Sequence, residues 1–366
     1  MKAGTDRVII IRANGSVALG SGHIRRMCIL ARYMREFSLS PVLLCNTGAL
    51  EVFPPAREAF EMVHEIKGEG YPAEANATAQ IRALYGDKIS AVFFDHYNLG
   101  AEEHRLYRAA APYIAAIDDM ANRKLDADIV FDINLGRSAK DYRNLLPPHA
   151  KVHTGQDFQI INPAFYDLQS TAKARREYMN GRIERVFIAL GGTDPLGFTP
   201  RLLNTAANLL PNACFDTVSG SLNPTLPELK ALATRLGPRV RLHVDTDQVP
   251  ELMAKADLAL GAGGTMTWER NSLGLASLLL IIADNQIQVG RAMADSSAAI
   301  VIDARDGYDD RAVSSRLSAL IADPEKRAQL SRHAEHLSGV NGAENMVRIL
   351  IDDMSQLQAG KQEIPQ

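Results

Sequence analysis

The sequence is poor in cysteine, and its few cysteines follow no pattern. Cys28, Cys45 and Cys214 include no C-x-x-C pair and no even-numbered set that could form a disulfide framework. This argues against a small secreted fold held together by disulfides. We expect buried, reduced thiols in a cytoplasmic protein.

Long apolar runs and a dominant charge of one sign are also missing. The apolar stretch 8–11 has the length of a strand and is far shorter than a signal-peptide core or a membrane span. A formal net charge of -3 gives no general attraction to nucleic acid or to an anionic bilayer. We therefore expect no export, no stable membrane association and no nucleic-acid partner, and any phosphate binding must be local.

What the sequence does contain is a regular alternation of strand and helix patterns. A length of 366 residues favours two domains. Short β-branched and aliphatic runs, each followed by a polar or Gly-rich turn and a helical pattern, are typical of parallel βαβ units. The first series of predicted strands is Val8–Arg12, Val42–Cys45, Met62–Glu65, Ala91–Asp95, Tyr113–Asp118, Ile129–Phe131 and a segment near Val152. The second series is Arg185–Leu190, Cys214–Ser219, Val240–Val244, Leu258–Gly261, Ser277–Ile282 and Ala299–Ile302.

These two series predict an α/β fold with two Rossmann-like parallel sheets that face a cleft. Residues 167–182 are highly charged and lack a sustained apolar face, which indicates a hinge. We expect an N-terminal Rossmann-like domain over 1–166 and a C-terminal Rossmann-like domain over 183–355. The segment 324–354 has helical patterns, and 356–366 has the composition of a polar tail.

The first strand leads into a turn that is unusually rich in glycine. In IRANGSVALGSGHIRR (11–26) the glycines precede a helix predicted over His23–Met34. His23 would lie in the first turn of that helix, whose positive dipole end suits the neutral imidazole that a general base requires. The alternative is a histidine that caps the helix or packs beneath the loop. Arg25, Arg26, Arg32 and Arg35 share this helix, and a solvated face is the ordinary interpretation of such a group.

A second glycine-rich turn has the composition of a nucleotide site. In ADLALGAGGTMTWERNSLG (256–274) a strand passes through Gly263 and Gly264 into a helix that is predicted to begin near Thr265. Backbone amides and a helix N-terminus at such a turn suit a diphosphate. Glu269 could accept both ribose hydroxyls, although an exposed helix carboxylate is the alternative. Trp268 is expected in the core rather than as a stacking platform.

Two further strand ends carry weaker signals. RVFIALGGTDPLG (185–197) ends a strand at Gly192, with a helix beginning near Phe198, and its turn could wrap a diphosphate or simply reverse the chain. LLLIIADNQ (278–286) delivers Asn285 and Gln286 to a strand end, where amides can bind sugar hydroxyls or cap the next helix.

Metal-binding patterns are weak. Asp126-Ala-Asp128 and Asp245-Thr-Asp247 have the D-x-D spacing that holds a divalent cation in some sugar transferases. The first pair precedes a predicted strand and the second precedes a helix start, so we predict no metal site and no cofactor.

Several ordered motifs together resemble the UDP-2,4-diacetamido-2,4,6-trideoxy-β-L-altropyranose hydrolases of pseudaminic acid biosynthesis and the related spore-coat polysaccharide proteins. The resemblance extends over roughly residues 7–350. It rests on GSGHIRR (20–26), FFDHYN (93–98), IDDMANRKLDADIVFDINLG (117–136), LGGTD (190–194), VDTDQVPELMAKADLALGAGGTMTWER (244–270) and ADNQ (283–286).

This resemblance implies a GT-B fold, related to that of the lipid II N-acetylglucosaminyltransferase, and metal-free hydrolysis of a UDP-sugar. It implies that His23 is the base, that Tyr97 lines the reacting centre, that Glu269 and nearby amides hold UDP and that Asn285 contacts the ligand. The full predicted substrate- and UDP-binding set is Gly22, Arg26, Gly192, Gly263, Gly264, Thr265, Glu269, Asn285, Gln286 and Asn162.

Two departures from the family pattern concern the choice of sugar. The chain has Asn14 where the family commonly has an acidic residue, and FQIINPAF (158–165) with Asn162 where the family commonly has an arginine. The expected function is inverting hydrolysis of a UDP-linked acetamido-deoxy sugar in nonulosonate or surface polysaccharide biosynthesis. The alternatives are a GT-B glycosyltransferase that acts on a cell-surface glycan and a nucleotide-sugar-binding protein without turnover.

Overall fold

The computed structural model describes residues 7–16 and 19–362, and side chains through residue 357. The chain divides into two compact units. The first unit is Met1–Ile160 together with Gly339–Gln366, and the second is Ile161–Ser338.

In the described part of the first unit, seven parallel strands form one sheet in the order β3-β2-β1-β4-β5-β6-β7. Its strands are β1 (Val8–Ala13), β2 (Ser40–Asn46), β3 (Met62–Ile66), β4 (Ile89–Asp95), β5 (Ile114–Ile117), β6 (Ile129–Asp132) and β7 (Lys151–Thr154). The helices between them are α1 (Gly22–Glu36), α2 (Ala49–Val52), α3 (Ala56–Ala59), α4 (Gly70–Tyr85) and α5 (Ala101–Arg108). Because helices cover both faces of such a sheet, β1 is buried along its whole length.

In the second unit, six parallel strands form a sheet in the order β10-β9-β8-β11-β12-β13, with all of its residues described. Its strands are β8 (Arg185–Ala189), β9 (Cys214–Ser219), β10 (Val240–Val244), β11 (Leu258–Ala262), β12 (Ser277–Ile281) and β13 (Ile300–Asp303). Its helices are α6 (Pro163–Asp167), α7 (Gln169–Met179), α8 (Thr199–Leu209), α9 (Leu226–Leu236), α10 (Val249–Ala254), α11 (Met266–Ser272), α12 (Ile287–Asp295), α13 (Asp310–Ala322) and α14 (Pro324–His336).

The predicted fold class is confirmed, since both units are Rossmann-like parallel sheets with helical crossovers. Every predicted strand is present within two residues of its predicted bounds. The β-branched and aliphatic runs predict these strands well because both faces of each central strand are buried.

The structure divides the chain at positions that differ from the predicted hinge. Residues 169–179 form α7, which belongs to the second unit. This helix buries Ala172 and Met179, and the Arg175 guanidinium makes a two-pronged ion pair with Asp257, at 2.8 and 2.9 Å. An ion pair and two small apolar contacts thus replace the wide apolar face that the sequence lacks.

The C-terminal segment also differs from its predicted place. The last helix, α15 (Gly342–Gln362), belongs to the first unit and packs on α1. Asp353 of this helix accepts hydrogen bonds from the Tyr113 hydroxyl, at 2.8 Å, and from Lys151 Nζ, at 2.6 Å. The helix extends into the predicted polar tail of 356–366, so that segment is helical through Gln362. The chain therefore returns to its first unit after completing the second.

The prediction of three buried thiols is only partly right. All three cysteines are free, but Cys28 is half-buried, Cys45 is buried and Cys214 is exposed. Cys214 is the first residue of β9, and the buried part of that strand begins one residue later, at Phe215.

Candidate functional site

The first candidate site lies at the carboxyl end of the central strands of the first unit. β1 pairs with β4 so that Ala13 lies opposite Asp95. The turn after β1 includes residues 17–18, which lie outside the described part, and α1 begins at Gly22. Because α1 begins shortly after the end of β1, its second residue, His23, lies beside Asp95 at the end of β4.

His23 and Asp95 form a buried hydrogen-bonded pair. Nδ1 of His23 lies 2.6 Å from Oδ1 of Asp95, and the two residues are 5% and 0% exposed. An ionised carboxylate only accepts hydrogen bonds, so Nδ1 donates to Oδ1, and in the neutral ring Nε2 then keeps its lone pair. Arg26 Nη2 lies 3.2 Å from the same Nδ1. The predicted position of His23 in the first turn of a helix is confirmed, and its role as a base stays a prediction.

Arg26 completes this cluster and overturns the interpretation of it as part of a solvated face. The residue is 4% exposed. Its Nε donates to Oδ2 of Asp95 at 2.6 Å, its Nη2 donates to Oδ1, and its Nη1 donates to Asp119 at 2.9 Å. Arg26 lies one helical turn after His23, so the same inward face of α1 presents both side chains.

The charges of this cluster determine the state of Asp95. Burial alone would raise the pKa of Asp95, but the charges and hydrogen bonds of Arg26 and His23 outweigh burial and hold that pKa well below its usual range. Burial lowers the pKa of Arg26, and the charges of Asp119 and Asp95 reverse that effect and raise it. Asp95 is therefore ionised and Arg26 is charged at neutral pH. Three N–H groups of Arg26 are directed at carboxylates, and its predicted contact with UDP stays a prediction.

Tyr97 also lies at this strand end, as the resemblance implies. Its ring centroid is 4.4 Å from that of His23, and the two rings are nearly perpendicular at 78°. The neighbouring His96 shapes the turn, because its Nδ1 accepts the backbone N–H groups of Asn98 and Leu99 at 3.0 and 3.2 Å. Burial lowers the pKa of His96 to about 3, so this ring is neutral at physiological pH.

Sequence reasoning assigned no role to Asp95 and Asp119. A signal for Asp95 was available, because it is the last residue of β4 and the carboxyl ends of adjacent parallel strands meet. Asp119 follows β5 by two residues and lies in the same row of strand ends. What the sequence does not specify is which of the several acidic residues at these ends contacts His23.

The second candidate site is the turn that follows β11 in the second unit. Thr265 is the N-cap of α11 and makes no side-chain capping bond, and the first bonds of the helix run from the Thr267 and Trp268 amides. A Cβ on Gly264 would meet nothing within 4 Å. A Cβ on Gly263 would lie 2.6 Å from a methyl group of Ile281. Gly263 is thus explained by packing, whereas Gly264 leaves open space over the turn.

The other residues of the second unit that were predicted to bind the ligand lie on α11 and in the turn after β12. Glu269 is half-buried on α11, one turn from its start, and Asn285 is half-buried in the single 3-10 turn that follows β12. Gln286 Oε1 accepts the Ile282 N–H at 3.1 Å and closes that turn. Trp268 is 1% exposed, which confirms its predicted place in the core.

The glycine-rich turn after β8 differs from the expected diphosphate site. Asp194 caps α8, because its carboxylate accepts the N–H groups of Phe198 and Thr199 at 3.2 and 2.8 Å. The positive end of α8 is therefore matched by the chain's own carboxylate, and an interaction of that helix end with a diphosphate is no longer expected. Gly192 remains open, since a Cβ there would meet nothing within 4 Å.

Asn162 is exposed and serves as the N-cap of α6. Its side-chain oxygen accepts the Ala164 N–H at 3.1 Å, and Pro163 occupies the first helical position. This arrangement is a common helix start and explains the residue locally. Its contact with a substrate stays a prediction.

The D-x-D segments are engaged in other interactions. Arg108 Nη1 lies 3.0 Å from the Asp128 carboxylate and its Nε lies 3.3 Å from that of Asp126. Asp245 accepts the Ser221 N–H at 3.0 Å. Within the residues that the structure describes, no three His, Cys, Asp or Glu side chains are grouped to hold a metal ion.

Comparison with known proteins confirms the resemblance that the motifs indicated. No protein-family model matches the sequence. The chain is similar to the UDP-2,4-diacetamido-2,4,6-trideoxy-beta-L-altropyranose hydrolase of Campylobacter jejuni, with 25% identity over 251 residues, which are 68% of this chain and 82% of the hydrolase. It is also similar to the spore coat polysaccharide biosynthesis protein SpsG of Bacillus subtilis, with 23% identity over 93% of this chain and 97% of SpsG.

Among solved structures, the chain is similar to MurG of Acinetobacter baumannii. The TM-score is 0.67 at 14% identity, over 94% of this chain and 99% of MurG. This similarity supports the fold alone, which is of the GT-B kind. No helix in the described part of the chain is long and apolar enough to cross a membrane.

Proposed function

We propose that the chain is a UDP-sugar hydrolase in which His23 is the general base. The observation that supports this proposal is the Asp95–His23 hydrogen bond of 2.6 Å, because a hydrogen on Nδ1 would leave Nε2 of the neutral ring as a proton acceptor. A carboxylate that orients an imidazole in this way is the arrangement by which many enzymes activate a hydroxyl group or water. Tyr97, whose ring borders that of His23, would line the reacting centre.

The proposed reaction is a single inverting displacement. A water oxygen forms a bond to the anomeric carbon while His23 Nε2 takes one of the water protons. The bond between the anomeric carbon and the diphosphate oxygen breaks, and UDP leaves with that electron pair. Asp95 stabilises the imidazolium that results, and the proton then passes to solvent.

The second unit would hold the nucleotide. In this proposal the amides near Gly264 and Thr265 contact the diphosphate, Glu269 accepts the ribose hydroxyls and Asn285 contacts the ligand, with further contacts from Gly192 and Gln286. The capping of α8 by Asp194 limits the contribution of the β8 turn to its own backbone. No cofactor is required, because the chain's own amides and cations would neutralise the leaving group.

The proposed substrate is a UDP-linked acetamido-deoxy sugar, which the similarity to the Campylobacter hydrolase supports. The similarity to SpsG supports a place in the biosynthesis of nonulosonates or surface polysaccharides. Asn14 and Asn162, where the family commonly has charged residues, would favour a related sugar rather than the identical one.

The test is incubation of the purified chain with a panel of UDP-sugars in the absence of any acceptor. Proton NMR follows both the release of UDP and the anomeric configuration of the free sugar at early times. The proposal predicts UDP release with inversion for at least one acetamido-deoxy sugar. Release that requires an added glycan acceptor would instead identify a transferase.

A further inference from the structure

Arg270 is a buried cation, and two nitrogens of its guanidinium have no hydrogen-bond partner. The residue lies on α11 and is 1% exposed. Its Nη2 donates to the Ala262 carbonyl at 2.7 Å and to Thr267 Oγ1 at 3.0 Å, whereas Nε and Nη1 have no partner. The charge of the adjacent Glu269 raises the pKa of Arg270, but no ion pair joins Arg270 to a carboxylate among the described residues. Buried guanidinium groups are ordinarily paired, because a buried unpaired charge is costly.

The guanidinium lies where the sheet of the second unit is expected to bind ligands. A Cβ on Gly261 would be 2.6 Å from Arg270 Nη1 and 2.9 Å from the Ala189 carbonyl. The group therefore lies at the carboxyl ends of β11 and β8, the adjacent strands on either side of the point where strand order reverses. In open parallel sheets, this point is where ligands bind.

The guanidinium groups of the other buried arginines of the described chain are hydrogen-bonded, either to carboxylates or to carbonyls. Arg12 pairs with Glu74 at 2.6 Å, and Arg26 pairs with Asp95 and Asp119. Arg327 of α14 lacks a carboxylate but donates to the carbonyls of Leu320 and Ile321 at 2.6 Å and to that of Gly181. In contrast, Nε and Nη1 of Arg270 are buried without a hydrogen-bond partner, and nothing in the folded chain explains why they are there.

We propose that Arg270 provides the buried positive charge of an anion subsite at the turn Ala262–Thr265, and that a diphosphate bound at this turn supplies the negative charge that pairs with the guanidinium. This inference rests on the proposed function and deepens it, because it names the group that replaces a metal ion behind the turn. Burial lowers the pKa of Arg270 to about 10, so the guanidinium is charged at neutral pH. Since water is excluded around it, its field at the turn is screened far less than that of a surface arginine.

The same residue also fixes the turn. By holding the Ala262 carbonyl, the Arg270 guanidinium orients the peptide units that follow it, including the amides of Gly263 and Gly264. A purely structural role and an electrostatic role therefore make different predictions. If the variant distorts the turn, binding of every ligand of the second unit should weaken. If it only removes the charge, binding should weaken only for ligands that carry phosphate.

The experiment measures binding of uridine, UDP and inorganic pyrophosphate to wild type, Arg270→Met and Arg270→Lys by calorimetry. Arg327→Met is the matched control, because it also removes a buried guanidinium from the second unit. We expect Arg270→Met to weaken UDP binding by at least about tenfold while uridine binding changes by less than about twofold. Arg270→Lys should restore part of the UDP affinity, and Arg327→Met should lower the melting temperature and leave UDP affinity unchanged.

Melting temperatures separate the two roles further. Arg270→Met removes a buried charge together with the hydrogen bonds to Ala262 and Thr267, and these opposing effects should leave the melting temperature of the ligand-free variant within about 3 °C of wild type. Unchanged UDP affinity in Arg270→Met, or equal losses for UDP and uridine, would overturn the proposal. If the wild type binds neither UDP nor uridine, the proposed function fails. Pyrophosphate binding then tests the anion subsite by itself. Pyrophosphate binding by wild type that is lost in Arg270→Met supports the subsite, whereas equal binding to both proteins, or binding to neither, rejects it.

Discussion

Nδ1 of His23 and Oδ1 of Asp95 lie 2.6 Å apart, although 72 positions separate the residues in the sequence. The parallel pairing of β1 with β4 produces this contact, because both strands end at the same edge of the sheet. Arg26 binds both oxygens of the same carboxylate, which fixes its orientation. The pair thus has the rigidity that a base requires to keep one tautomer.

Asp95→Asn should lower kcat by on the order of 10²-fold or more while UDP affinity is retained. Arg26 donates to both oxygens of Asp95, so the NH2 group of an asparagine faces Arg26 in either orientation, and in one of the two it also faces Nδ1 of His23. An N–H that faces Nδ1 makes that nitrogen an acceptor and moves the imidazole hydrogen to Nε2. Steady-state kinetics of UDP release and calorimetry with UDP check this prediction.

Asp216→Asn is the matched control for this variant. Asp216 is also buried, bound by Arg185 and 2.9 Å from His243 Nε2, but it lies toward the amino-terminal end of the second sheet. Its replacement should lower stability and leave kcat per folded molecule unchanged. Equal kcat losses in both variants would show that the Asp95 effect is a general consequence of a lost ion pair.

The low pKa of Asp95 predicts a specific dependence of stability on pH. Because the pKa is lower in the folded chain than in the unfolded chain, the stabilisation is present above the unfolded pKa of about 3.9 and is lost as pH falls through the folded pKa. Between pH 5 and 3, wild type should therefore lose stability more steeply than Asp95→Asn, by up to about 1.4 kcal/mol per pH unit. Urea unfolding at several pH values measures both slopes, and identical slopes would contradict the assigned charge state.

The sequence predicted the strands because burial on both faces selects continuous β-branched and aliphatic runs. It did not predict the unit boundaries, for two physical reasons. The helix α7 attaches to the second unit through the Arg175–Asp257 ion pair, which no local pattern reveals. The helix α15 returns to the first unit, and only long-range contacts such as that of Asp353 with Tyr113 specify this.

The candidate site was predictable to a similar extent. Position in a strand-to-helix turn indicated His23 and Glu269, because turn location follows from local patterns. The partners were not predictable, since hydrogen bonds between strand ends depend on the register of the sheet. Asp95 as partner of His23 belongs to this second kind, whereas the Asp194 cap of α8 is a local contact across four to five positions that the sequence analysis missed.

Glu269→Ala should weaken UDP binding by about 10- to 150-fold, because a carboxylate that accepts two ribose hydroxyls contributes about 1.5–3 kcal/mol. The shift of melting temperature that UDP produces in wild type should largely disappear. Glu325→Ala, which removes an exposed carboxylate from the first turn of α14, is the control and should retain that shift. Undiminished UDP affinity in folded Glu269→Ala would exclude the ribose contact.

Hydrolysis should be independent of divalent cations. Asp126 and Asp128 are engaged by Arg108, and amides and arginine side chains are proposed to neutralise the leaving diphosphate. The rate of UDP release should therefore be the same, within about twofold, in EDTA and in magnesium or manganese. Activity that chelation abolishes and a metal restores would contradict this account.

The most direct test of His23 as the base is a comparison of kcat, UDP-sugar affinity and melting temperature in wild type and His23→Gln. Glutamine keeps a polar side chain at the start of α1 but cannot accept a proton at neutral pH. We predict that kcat falls by about 10²–10⁴-fold while UDP-sugar affinity and melting temperature change little. A folded His23→Gln protein that releases UDP at the wild-type rate would contradict the account.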